Sequence, residues 1–317
     1  MRNLGKVGII FNGGGFSGAY SVGFLKAIWE RDIRPSYVQG VSVGALTGGA
    51  LAMNGPEETE KLWLETEERG ASRVFNWSNI PGNVLRKKGS LFNNDGILEL
   101  INKFDYPKII NSKIELQIVT CNESLEGETT VFRNHDEKFK ANPDLFRKVI
   151  LASAAIPGIL PPVEIDGELH SDGVYFSLEP MVSAGCDTIF LLLNDQTDKA
   201  ERWDQRLAQS RHRLYERAAM AELKEILNKH PDFEFYKSAD LDLKAKNIPS
   251  LVRKMMSAAR SISQGDDLNF VPHRIISFYS QTSIDTLYTT GFKKGDIKAS
   301  IEIGHFHGKE LLGKILG

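Results

Sequence analysis

Within its first 54 residues the chain twice runs from an apolar, strand-length stretch through a glycine-rich turn into an apolar helix. Val7-Gly8-Ile9-Ile10-Phe11 leads into Asn12-Gly13-Gly14-Gly15-Phe16-Ser17-Gly18 and then a helix over about 19–31. Tyr37-Val38-Gln39 leads into Gly40-Val41-Ser42-Val43-Gly44 and a helix that stops at Asn54-Gly55. Pro56, with Glu57 and Glu58 in the first turn, opens the next helix. Strand, helix, strand and helix joined by short links predict a parallel sheet covered by helices. The first helix carries Val22, Leu25 and Ile28 on one face and Tyr20, Phe24 and Ala27 on another, so it packs on two sides.

The second turn is a G-x-S-x-G pentapeptide between strand and helix. A serine there has strained backbone angles, and only glycine-sized neighbours fit two residues away on either side. Its hydroxyl is lifted clear at the end of the sheet, above a helix N-terminus that favours developing negative charge. Ser42 is therefore a candidate nucleophile.

The first turn admits three readings. Gly13-x-Gly15-x-x-Gly18 matches a dinucleotide-binding fingerprint, but the acidic residue it needs, Asp32, falls before the second strand rather than at its end. A plain tight turn needs fewer than three consecutive glycines. An oxyanion hole uses the same geometry, with successive N–H groups of Gly13 to Phe16 turned toward a developing alkoxide. The nearby serine favours the oxyanion hole.

Composition narrows the classes. The 317 residues are 41% hydrophobic and 25% charged, ordinary for a globular protein with a large core. A formal net charge of -2 argues against a nucleic-acid binder. Cys121 and Cys186 lie far apart with no metal-ligand spacing, which suggests free thiols in a reducing compartment. The apolar run 7–11 is too short for a signal-peptide core, and no stretch approaches the length of a membrane span. A cytoplasmic protein, with or without peripheral membrane contact, is the expectation. Neither a cofactor nor a metal is expected.

Further along, Phe75, Trp77, Ile80 and Leu85 precede Arg86-Lys87-Lys88 in a loosely patterned stretch, 71–92. It reads either as a flap touching a lipid surface or as a connecting loop with buried anchors. A helix is expected from Asp95, and strands over 114–120 and 129–132 joined by Glu126-Gly127-Glu128.

A later block runs Val149-Ile150-Leu151-Ala152-Ser153-Ala154-Ala155-Ile156-Pro157-Gly158, through Pro161-Pro162-Val163, to Ser171-Asp172-Gly173. With the two glycine turns, and with Ala184-Gly185-Cys186-Asp187 before the apolar run 188–193, the chain resembles the patatin-like phospholipase family over about residues 7–193. The resemblance implies an α/β class fold, a three-layer α/β/α sandwich with a mostly parallel central sheet. It implies a serine acyl hydrolase acting on fatty-acyl esters of lipids through a Ser-Asp dyad. Ser42 matches the nucleophile, Asp172 the aspartate, and Gly13, Gly14 and Gly15 the oxyanion loop. Three positions depart from the family pattern. Ser17 stands where Arg or Lys is common, Val174 replaces a small residue after Asp172, and Leu178 replaces the Asn usual before Glu179-Pro180. The substrate class covers phospholipid, lysophospholipid and neutral-lipid esters, and Ser17 strengthens the case for a neutral or lyso-lipid ester relative to a chain with a basic residue there.

Two other readings stay open: a nucleotide-binding protein using the 13–18 loop, and a catalytically silent lipid-binding family member. A Ser-His-Asp triad would draw on His135, His170, His212, His230, His273, His305 or His307, with Asp172 and His273 in the usual chain order. None of these histidines sits in a recognisable catalytic turn. His170, two residues before Asp172, would share its face on a strand and could tune its carboxylate. His305-x-His307 lacks the spacing for joint metal ligation on a helix. The stretches 199–230 and 244–264 read as surface amphipathic helices, 273–279 as a late strand and 294–316 as a closing helix. The whole of 1–317 is thus expected to be one domain, with the motifs in about 7–193 and the helical elaboration, late strand and closing helix in 194–317.

Overall fold

A computed structural model of the chain describes residues 4–85, 89–173, 175–194, 220–237, 273–279 and 291–316. Val174, His212, the basic triplet 86–88 and the stretch 244–264 lie outside the described residues. Nine strands among the described residues form one sheet. They are β1 (Val7–Phe11), β2 (Tyr37–Val41), β3 (Glu115–Asn122), β4 (Glu128–Arg133), β5 (Val163–Ile165), β6 (Glu168–Asp172), β7 (Thr188–Leu193), β8 (Glu234–Lys237) and β9 (Arg274–Tyr279). Their order is β5-β6-β3-β2-β1-β7-β9-β8, with β4 also paired to β3.

The centre, β3-β2-β1-β7-β9-β8, is parallel throughout. The β4, β5 and β6 pairings are antiparallel. The late strand expected at 273–279 is β9, and β8, for which the sequence offers no clear pattern, pairs beside it. The parallel strands alternate their apolar side chains between two cores. Ile9, Phe11, Phe190 and Leu192 face one core, while Ile10, Ile189 and Leu191 face the other. A strand apolar on both faces is the signature of a sheet covered on both sides.

The first face carries α1 (Ala19–Glu30), α2 (Val43–Asn54), α3 (Pro56–Arg69), the helix Pro143–Ser153 and the long helix Asp296–Leu316. The second is covered by Met181 of the short helix Glu179–Ser183 and by Leu223 and Ile226 of a helical stretch within 220–229. The layers are therefore helix, sheet, helix, as the resemblance implies. No helix among the described residues is long and apolar enough to cross a membrane. Cys121 and Cys186 are free thiols.

Candidate active site

Ser42 links the end of β2 to the start of α2 with φ 57° and ψ −124°. A non-glycine residue at positive φ costs on the order of 1–3 kcal/mol and persists only where its surroundings enforce it. Two contacts do so here. A Cβ on Gly44 would stand 2.0 Å from the carbonyl oxygen of Phe11, and one on Gly40 would stand 2.4 Å from that of Gly44. The G-x-S-x-G spacing is thus the condition for α2 to pack against β1 and β2 at this bend. The Ser42 N–H donates to Ser153 Oγ at 2.9 Å, and that hydroxyl donates to the Val119 carbonyl at 2.7 Å. Ser153 belongs to the block that carries the resemblance, yet nothing in its sequence context marks this role.

Asp172 ends β6, and the sheet register fixes where. Val119 of β3 pairs with Val41 of β2 on one edge and Val131 of β4 on the other. Thr120 pairs with Thr130 of β4 and with Asp172 of β6. Since β4 occupies one edge for both residues, β2 and β6 share the opposite edge. The two strands run toward each other, so their C-terminal ends meet beside Val119 and Thr120. Asp172 and the residue after Val41, Ser42, are brought together there. Asp172 also lies opposite Thr120, on the face that Leu116 and Ile118 turn toward α2. Its N–H donates to the Ala155 carbonyl at 2.9 Å. A Cβ on Gly173 would lie 2.2 Å from the Val119 carbonyl oxygen, so the chain leaving Asp172 crosses directly over that atom.

Beneath the sheet a buried polar network holds the segment beyond Asp172. Gln39 Nε2 donates to the Ser177 carbonyl at 2.8 Å, and Gln39 Oε1 accepts from the Ser177 N–H at 2.8 Å. The same Nε2 reaches Gln117 Oε1 at 3.2 Å. Glu222 Oε1 accepts from Ser177 Oγ at 3.0 Å and from the Leu178 N–H at 2.9 Å. Burial pushes the Glu222 carboxyl above the usual carboxylate range, against the pull of these donors. The Leu178 side chain is buried in the second core, so here Gln39 and Glu222 anchor the segment.

The glycine loop leaves β1 beside Ser42. A Cβ on Gly13 would lie 3.2 Å from Ser42 Cβ and 3.8 Å from its Oγ. Gly14 and Gly15 both have positive φ, 142° and 57°. Asn194, just after β7, holds the loop from the far side: its Nδ2 donates to the carbonyls of Asn12 at 3.0 Å and Gly13 at 3.1 Å. Among the described residues no hydrogen bond uses the N–H of Gly13 or Gly14. Ser17 is buried within the short turn Gly15–Gly18.

Next to the serine opens an apolar cleft of about 590 Å³, part of it open to solvent. Gly15, Phe16 and Ser42 form one end, and Leu46 of α2, Trp63 of α3 and Leu100 extend the wall. Val74 and Phe75 line it too, so the stretch 71–92 contributes buried anchors. Phe75 packs edge-on against Phe16 and Phe92, with ring centroids 6.0 and 5.5 Å apart. Trp77 and Leu85 of that stretch are exposed.

Of the described histidines, His273 and His170 bear on the alternatives. His273 precedes β9, 3.7 Å from Asp187 and 3.6 Å from Asp232. That is where the parallel strands begin, whereas Ser42 stands where β2 ends, so the pairing of Asp172 with His273 is wrong. His170 does share the face of Asp172, but its Nδ1 engages Thr120 Oγ1 at 3.0 Å. Burial lowers its pKa, outweighing the Glu168 carboxylate. His305 pairs with Glu30 and His307 with the Tyr20 hydroxyl on the outer helices. Asp32 stands exposed in the turn between α1 and β2, 3.0 Å from Arg34.

The chain is 24% identical to triacylglycerol lipase 5 of Saccharomyces cerevisiae over half its length, covering 23% of that protein. It is 23% identical to lysophospholipase NTE1 of Candida glabrata over 58% of its length, covering 10% of that protein. The crystal structure of VipD from Legionella pneumophila overlays 98% of the chain and 67% of its own, at 12% identity and a TM-score of 0.44. The family model for patatin-like phospholipase matches residues 9–184, more than half of the chain, which belongs to the patatin-like phospholipase family.

Proposed function

We propose that the chain is a lipid acyl hydrolase working through a dyad of Ser42 and Asp172. The observation that carries this reading is the meeting of the β2 and β6 ends on one edge of β3, beside an apolar cleft that Ser42 lines. Ser42 Oγ attacks the carbonyl carbon of a fatty-acyl ester while its proton passes to the Asp172 carboxylate. The N–H groups of Gly13, Gly14 and Gly15 receive the oxyanion. Collapse expels the alcohol, which takes the proton from Asp172 and leaves an acyl-serine. Water then attacks that ester with Asp172 again as base, and the fatty acid departs with Ser42 restored.

The cleft suits an acyl chain and offers little to a charged group. Neutral Ser17 in the glycine loop adds no cation for a phosphate. A neutral or single-chain lipid ester is therefore the favoured substrate, in keeping with the names triacylglycerol lipase and lysophospholipase among the relatives. We assign 1–317 to one domain, since β8, β9 and the helix Asp296–Leu316 continue the sheet and core begun at β1. Peripheral contact with a membrane and a cytoplasmic setting complete the proposal. A panel of phospholipid, lysophospholipid and monoacylglycerol esters tests it. Activity on at least one class, abolished by Ser42→Ala and by Asp172→Ala, is expected; full activity in either variant overturns the dyad.

A further inference from the structure

Asn194 is 1% exposed and spends its whole side-chain amide on three residues. Nδ2 has two hydrogens and donates to two successive carbonyls, those of Asn12 and Gly13. Oδ1 accepts from Ser21 Oγ of α1 at 3.0 Å, which fixes the amide's orientation. The loop is pinned to β7 a second time, because the Asn12 N–H donates to the Leu192 carbonyl at 3.1 Å. A Cβ on Gly14 would meet Asn194 Cβ at 2.8 Å, so the loop lies flat against this side chain.

In a planar trans peptide the C=O and the following N–H point in opposite directions. Anchoring the carbonyls of Asn12 and Gly13 on Asn194 therefore aims the N–H groups of Gly13 and Gly14 away from it. Ser42 borders Gly13 at the contact already given. A run of three glycines has broad conformational freedom, and an oxyanion hole works only when its donors are oriented beforehand.

We infer that Asn194 is the positioning residue that orients the Gly13 and Gly14 N–H groups toward the oxyanion formed when Ser42 attacks an ester. The inference rests on the proposed acyl-hydrolase reading. Asn194 touches no reacting atom and acts through the loop.

The test uses the full chain, p-nitrophenyl butyrate as substrate and a trifluoromethyl ketone as a probe that adds to the serine as a tetrahedral oxyanion. Asn194→Asp keeps size and the acceptor for Ser21 but sets a carboxylate oxygen against two carbonyls. Its kcat is expected to fall about a hundredfold with KM within about threefold, the scale of a lost oxyanion donor. The inhibition constant of the ketone is expected to rise in step with the loss in kcat/KM. Ser21→Ala, which only loosens the amide, is expected to give a smaller loss with the same proportionality, and it decides the matter if Asn194→Asp does not fold. Wild-type kcat in a folded Asn194→Asp, or a lost kcat with unchanged ketone affinity, overturns the inference. Hydrolysis surviving in Ser42→Ala would instead overturn the underlying reading. Loss in Ser42→Ala together with unaffected Asn194 and Ser21 variants sinks the positioning role alone.

Discussion

Ser153 holds Ser42 by its main chain: the Ser42 N–H donates to Ser153 Oγ at 2.9 Å, and the Ser153 hydroxyl in turn donates to the Val119 carbonyl. One hydroxyl from the last residue of the helix Pro143–Ser153 thus joins the Ser42 turn to the strand edge on which Asp172 is seated. Ser153→Ala leaves a buried N–H and a buried carbonyl unpaired. An unsatisfied buried group costs about 1–3 kcal/mol. Urea unfolding should show a loss of at least that size, and kcat should fall because the strained turn loses a restraint.

Gln39 holds the segment that follows Asp172. Its side-chain amide pairs with both main-chain groups of Ser177, tying the segment beyond Asp172 to the strand that delivers the serine. Gln39→Leu is expected to lower ester hydrolysis and to destabilise the fold by about 1–3 kcal/mol for each main-chain group left unpaired. Chemical denaturation with parallel rate measurements checks both effects. Unchanged stability would show that the segment does not depend on this clamp.

What could be read from the chain alone follows the range of each signal. The β1 and β2 strands, both glycine turns and α1 to α3 rest on local periodicity, capping and steric rules, and they stand where those rules put them. Asp172 was reachable only through the resemblance, because its register against Thr120 is a tertiary pairing with no local pattern. The antiparallel pairs of β4, β5 and β6 make the sheet less uniform than strand-helix alternation implies. Asn194 is invisible to a local reading: its partners Asn12 and Gly13 lie more than 180 residues earlier in the chain. His273 looked compatible with Asp172 by chain order, but order carries no information about which end of a strand a residue occupies.

Leu46 stands one helical turn beyond Ser42 on α2 and lines the cleft. Leu46→Trp would fill the channel near the serine and shorten the acyl chain it admits. The ratio of kcat/KM for p-nitrophenyl dodecanoate to that for the butyrate should drop about tenfold or more, the scale of losing several methylene contacts. An unchanged ratio would place the acyl chain outside this cleft.

His170 is expected to make the fold acid-sensitive. Its burial between Thr120 and Phe132 lowers its pKa below the ordinary 6.5. As pH falls past 6.5, the unfolded chain takes up a proton that the folded chain refuses, so its contribution to stability is present above that value and is lost on acidification. His170→Gln retains a partner for Thr120 and removes the titration. Thermal melts across this range should show a shallower acid decline in the variant than in the wild type.

The dyad's central claim is that Ser42, at the elbow between β2 and α2, is the nucleophile. Fluorophosphonate labelling of the folded chain, followed by peptide mass mapping, tests it most directly. A single adduct on Ser42, slowed in Asp172→Asn and absent in Ser42→Ala, is the predicted result. A hydrolytically active chain whose Ser42 stays unlabelled, or whose adduct maps to another serine, would contradict it.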